Sequence, residues 1–165
     1  MQLTGIPARE VPVVWAAVAD QIKIATELSG GRHTPETVKE ACRNAEMQLW
    51  CVIDPKRNRI VAVLVTEVKT FKTGLKVCEL VLLAGRQRDK WVHLVKDIER
   101  WAHSLGCVKT QALGRDGWVR VMKTWNWDNS AIFIEKNLKE YDERSEDLSI
   151  VARETMDAHE QEGAS

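Results

Sequence analysis

Apolar residues recur at helical spacing through the first part of the chain. Val11, Val14, Trp15, Val18, Ile22 and Ala25 lie on one helical face, and Ser29-Gly30-Gly31 ends the pattern. A second helix is predicted from Thr34-Pro35-Glu36. That triplet supplies a capping hydroxyl, a proline at the first helical position and an acid near the positive end of the dipole. Val38, Ala41, Cys42 and Ala45 give this helix one apolar face. Residues 1–6, ahead of both, read as a short strand.

The period then changes. Met47–Asp54 reads as a strand, residues 54–59 as a turn, and residues 60–70 as a β-branched strand. Lys72-Thr73-Gly74 predicts another turn, followed by a strand over 75–84. Short connections between three strands predict an antiparallel meander. Residues 60–65 and 77–84 are apolar on both faces except at Glu79, as in strands covered by helices on both sides. Trp91, Leu94, Val95, Ile98, Trp101, Ala102 and Leu105 then form a strongly amphipathic helix that Gly106 ends. A strand over 108–113 completes a β-α-β unit, which predicts one parallel pair. A short helix over 118–125 and a last strand over 130–136 follow. The fold class expected is α/β: a single domain, 1–138, with a mixed central sheet and helices on both faces.

Composition narrows the function classes. The 165 residues carry 24 basic and 24 acidic side chains, so the net charge is zero. That balance argues against a surface devoted to nucleic acid. No stretch approaches the roughly 20 apolar residues of a membrane span. The first ten residues lack a basic start and an apolar run, so no secretory signal is expected and a cytoplasmic compartment is. Cys42, Cys51, Cys78 and Cys107 are widely spaced, which predicts reduced, buried thiols and no metal site. His93 and His103 fall off the apolar stripe of their helix and are expected at the surface.

The element order, a meander followed by one parallel crossover, resembles the GNAT family of N-acetyltransferases over residues 1–138. The stretches Leu105-Gly106-Cys107, Leu113-Gly114-Arg115-Asp116-Gly117-Trp118-Val119-Arg120-Val121-Met122 and Ile132-Phe133-Ile134-Glu135-Lys136 are also similar to GNAT-like proteins of tailed bacteriophages. The resemblance implies acetyl-CoA as cofactor. It implies two parallel strands that splay to admit the pantetheine arm, and a loop before the central helix that receives the pyrophosphate. Here those positions are Leu83, Ala84 and Gly85, followed by Arg86, Arg88 and Lys90. The resemblance further implies a Glu that deprotonates the amine acceptor, directly or through a water, and a Tyr that protonates the departing thiolate. Glu79 is the first candidate base and Glu67, on the preceding strand, the second.

The residues keep alternatives open. The family's loop pattern, Arg/Gln-x-x-Gly-x-Gly/Ala, meets Asp89 and Trp91 at its two glycine positions. Glu79 is either a desolvated base with a raised pKa or a strand acid paired with a Lys or Arg. The only Tyr, Tyr141, lies beyond the last strand. Two functions are therefore expected. One is an acyl-CoA-dependent N-acetyltransferase; the other is a catalytically degenerate GNAT-like phage protein, a virion or other protein-interaction component, in host cytoplasm or virion. Trp118, Trp125 and Trp127 are either core or an aromatic patch for a protein partner.

The last segment changes the meaning of net zero. Residues 139–165 hold nine acids against three bases, leaving 21 bases against 15 acids in the rest. A domain of charge +6 thus carries an extension of −6. Such an extension is either disordered or a segment that docks on a partner.

Overall fold

The computed structural model describes residues 1–114, 116–130 and 135. The elements in chain order are β1 (Gln2–Ile6), α1 (Val11–Glu27), α2 (Pro35–Arg43), β2 (Met47–Asp54), β3 (Arg59–Thr70), β4 (Lys76–Gly85), α3 (Val95–Ser104), β5 (Lys109–Ala112) and α4 (Asp116–Lys123). All of them lie within Met1–Trp127, which is compact apart from Asp128–Ser165. The expected strand over 130–136, except Ser130 and Glu135, and the acidic extension lie outside the described residues.

The five strands form one sheet in sequence order. β1 to β4 pair antiparallel, and β4 and β5 pair parallel across the α3 crossover. The meander and the single parallel pair are those the sequence predicts. Helices cover both faces because the strands alternate apolar side chains to each. On one face Leu49, Cys51, Val63, Val65 and Leu82 pack with Val18 and Ile22 of α1 and Val38 of α2. On the other, Trp50, Val52, Leu64, Cys78 and Leu80 pack with Val95, Ile98 and Ala102 of α3 and Met122 of α4. Burying each such side chain contributes about 1.5–3 kcal/mol.

The helix signals act as their chemistry requires. The Thr34 hydroxyl accepts from the Thr37 amide at 3.3 Å, and the Thr37 hydroxyl accepts from the Thr34 amide at 2.9 Å. The two satisfy donors that a helix start leaves free. Gly30 and Gly31, at φ 64 and 80, turn the chain out of α1. The predicted helix over 91–105 is shorter than its apolar rhythm. It begins at Val95, and two single 3-10 turns, Arg88–Lys90 and Val92–Leu94, precede it.

Candidate functional site

The site begins with a fault in the β3–β4 ladder. Val65 pairs with Leu82 but the next residue, Thr66, pairs with Leu80, so Val81 is an extra residue on β4. A bulge of this kind turns every later side chain to the other face. Cys78 and Leu80 pack on the α3 side, whereas Leu82 packs on the α1 side. Pairing with β5 ends at the same place. The register runs from Val77↔Lys109 to Leu80↔Ala112 and stops. β4 continues to Gly85 with β3 on one side and no described strand on the other. A strand edge of free amides and carbonyls is a template for an extended ligand.

Polar side chains converge at the fork. Glu79 and Gln111 face each other in the β4–β5 register, one residue before it ends, and Glu79 also sits opposite Glu67 of β3. Glu79 Oε2 accepts hydrogen bonds from Lys69 Nζ at 2.7 Å and from Gln111 Nε2 at 3.1 Å. The Lys69 ammonium is also 3.5 Å from Glu67 Oε2. One ammonium thus holds two carboxylates side by side, and each member of the trio keeps some exposure.

Burial and these partners act on the Glu79 pKa in opposite directions. Burial does push the carboxyl up, but the hydrogen bonds from Lys69 and Gln111 and the charges of Lys69 and His33 outweigh it, and the net shift is downward. The Lys69 ammonium moves the opposite way: its bond to Glu79 holds the proton on, against a smaller opposing effect of burial. Glu79 is thus paired with a Lys of the neighbouring strand, as one of its two readings expects. Glu79 is an ionised carboxylate in the resting site.

The loop into α3 is built differently from a glycine-rich phosphate cradle. Gly85 is required by its neighbour strand: it pairs with Ala62, and a Cβ on it would lie on Ala62 Cβ and only 2.9 Å from the Val61 carbonyl. Its glycine identity thus has a packing cause. Gln87 takes a left-handed conformation at φ 55 and starts the first 3-10 turn. Trp91 is 1% exposed and donates from its indole nitrogen to the Arg86 carbonyl at 2.7 Å. That bond ties the end of the loop to its beginning and consumes a backbone acceptor. Arg86, Arg88, Asp89 and Lys90 are exposed. The Arg88 guanidinium lies 5.5 Å from the centre of the Trp118 ring and 3.4 Å from Asp89 Oδ1.

The structure thus gathers Glu67 and Glu79 into one cluster and Arg86, Arg88 and Lys90 into one loop, with Leu83 and Ala84 on the open part of β4. Lys69, Gln111 and His33 are the members that the sequence reading missed. For Lys69 the signal was present, because it lies two residues after Glu67 on the same strand face. Gln111 and His33 had none, since each enters through a register or a loop path that spacing does not encode. Trp118, Trp125 and Trp127 are partly buried against the α3-side cluster, and the Trp127 indole donates to Glu99 Oε1 at 2.8 Å. His93 and His103 are exposed as expected.

Known proteins resemble the chain in structure and not in sequence. No sequence-family profile matches it. No curated protein matches it either. Among solved structures, a probable acetyltransferase superposes with a TM-score of 0.63 at 13% identity, covering 87% of this chain and 100% of its own. A predicted acetyltransferase from Clostridium acetobutylicum, solved with acetyl-CoA, superposes at 0.60 and 13% identity, covering 85% of this chain and 97% of its own. Glucosamine-6-phosphate N-acetyltransferase from Arabidopsis thaliana does so at 0.57 and 11%, covering 84% and 98%. The five-strand mixed sheet, its one parallel pair and these likenesses agree: the chain has the fold of the GNAT acetyltransferases.

Proposed function

We propose that the chain binds an acyl-CoA along the open edge of β4 and transfers its acyl group to an amine. The observation that carries this reading is the fork, where β4 bulges at Val81 and loses β5 after Leu80. The fit is uneven. Backbone groups of Leu83 and Ala84 suit an extended amide-bearing arm, and Arg86, Arg88 and Lys90 supply charge for phosphates. The backbone cradle is the part that does not fit, because Asp89 and Trp91 stand where glycines would let phosphate approach. Phosphate recognition therefore falls to side chains. Bound acyl-CoA supplies an activated thioester. Glu79 receives the acceptor's ammonium proton, Gln111 fixes the carboxylate oxygen that receives it, and Glu67 adds negative charge that favours a cationic acceptor.

Calorimetric titration with acetyl-CoA tests this. The full chain is expected to bind, and Arg86→Ala combined with Arg88→Ala to weaken binding about tenfold or more. Absence of heat at about 1 mM ligand overturns the reading.

A second reading, a non-catalytic binding domain on the same fold, is favoured by the loop itself. The Trp91–Arg86 bond and the Arg88–Trp118 contact fill space at the pyrophosphate end. On this reading a protein partner meets the parts of Trp118, Trp125 and Trp127 that stay at the surface, and acetyl-CoA produces no heat.

A further inference from the structure

An acyl acceptor for this site must bring an amine to the fork, hold it against a carboxylate and lose a proton there. The chain supplies such an amine. Lys69 Nζ hydrogen-bonds Glu79 Oε2 at 2.7 Å, with Glu67 Oε2 at 3.5 Å. Gln111 Nε2 holds the same Glu79 oxygen from β5, at 3.1 Å. Glu79 and Gln111 form the register pair next to the last one, so the carboxylate that holds the ammonium lies one residue from the end of the β4–β5 pairing. Lys69 is not sealed in: its side chain is 38% exposed, and four flexible carbons separate its nitrogen from the strand. Substrate binding normally has to pay the entropy of placing an amine beside its base; here folding has placed it.

We propose that Lys69 is a self-acylation site, its ε-amine accepting the acyl group of an acyl-CoA thioester bound at the fork. The proposal rests on the acyl-transfer reading above. The ammonium gives one proton to the Glu79 carboxylate. The freed lone pair forms the carbon–nitrogen bond of an amide, and the carbon–sulfur bond breaks with its electron pair on sulfur. The second proton lost from nitrogen goes to that sulfur, leaving free thiol, and the proton on Glu79 passes to water. Nothing is oxidised or reduced. No phenol is needed, because a thiolate is a good leaving group, with an ordinary thiol pKa of about 8.5. That accommodates a site in which Tyr141, outside the described residues, is the only tyrosine.

The ion pair sets the pace. The neighbours that face the Lys69 ammonium are Glu67 on its own strand and Glu79 on β4, and the charge of His33, in the α1–α2 connection, adds slightly to the lowering of the Glu79 pKa. The two carboxylates keep Lys69 protonated, so only a small fraction is nucleophilic near pH 7. The rate therefore climbs with pH, about tenfold per unit below the Lys69 pKa.

The test incubates the full chain with acetyl-CoA and counts acetyl groups by intact mass and peptide mapping. Calorimetry with coenzyme A, which has no acyl group to give, reads binding separately. One acetyl per chain on Lys69 is expected. It should disappear in Lys69→Arg, fall at least tenfold in Glu79→Gln, and vanish in urea-unfolded chain. Glu67→Gln, checked for folding by circular dichroism alongside Glu79→Gln, should slow the reaction less, because its carboxylate lies farther from the nitrogen. Coenzyme A binding without acetyl on Lys69 overturns the self-acylation proposal and leaves the acyl-CoA reading standing. So does acetyl spread evenly over exposed lysines such as Lys72 and Lys90, or an equal rate in unfolded chain. No coenzyme A binding, with no acetyl gained, removes both.

Discussion

A single ammonium decides the character of the fork. Without Lys69, Glu67 and Glu79 would be like charges directly across a β ladder, an unfavourable pair. With it, Glu79 sits below its ordinary pKa of 4.5. A depressed carboxyl stabilises the fold above the unfolded pKa and loses that contribution as pH falls through the folded value. The sign fixes an experiment. Lys69→Met should lower stability at pH 7 and lower it less at pH 3, because the contribution fades as pH falls through the folded value of Glu79. The pair is partly solvated, so the loss at pH 7 is small, about 0.2–1 kcal/mol. Urea denaturation at the two pH values measures it, and an equal loss at both would show that the ammonium acts through packing alone. The sequence offered Glu79 as a polar residue on an apolar strand face, and that much was legible. Whether it was base or ion-pair partner was not, because the answer lay on Lys69 and Gln111, which a two-residue offset and a parallel register bring to it.

At the level of elements, local chemistry was legible wherever one residue type sets the backbone. Gly106 shows this best. It sits just past α3 at φ 82, with its amide donating to His103 and the Cys107 amide to Ala102. This is the crossed pair of bonds that ends a helix with a left-handed residue. The turn also launches β5, since the Val108 amide donates to the Lys76 carbonyl at 2.9 Å. A Cβ at Gly106 would have no atom within 4 Å, so Gly106→Ala costs backbone strain alone. Thermal or urea unfolding should register a loss of about 1–2 kcal/mol. A neutral result would mean that the cap is not what positions β5. Elements were misread where tertiary contacts override periodicity. The apolar rhythm continues back to Trp91, yet α3 starts at Val95. Trp91 is pulled into the core with its indole on the Arg86 carbonyl, and its φ of −136 is incompatible with a helix. The bulge at Val81 was equally invisible, since an extra residue in a run of apolar side chains leaves no trace in their pattern.

The whole molecule joins two cores through one sheet. β2, β3 and β4 each give side chains to both faces, so neither helix layer can leave without exposing strands that the other needs. The four thiols report on both sides. Cys42 and Cys51 belong to the α1–α2 side and Cys78 and Cys107 to the α3–α4 side, and all four are buried. Burial pushes the thiols of Cys42, Cys51 and Cys78 up to about 11, well above the range in which a thiolate reacts. Native chain should therefore resist a thiol reagent at pH 8. Along a urea gradient, peptide-resolved labelling should expose Cys42 and Cys51 at the same midpoint as Cys78 and Cys107, because a shared sheet makes the loss of either core the loss of both. Earlier labelling of Cys78 and Cys107 alone would mean that β4 and β5 open along the fork while the meander survives. The proposed acyl-CoA edge would then also be the weakest seam of the fold.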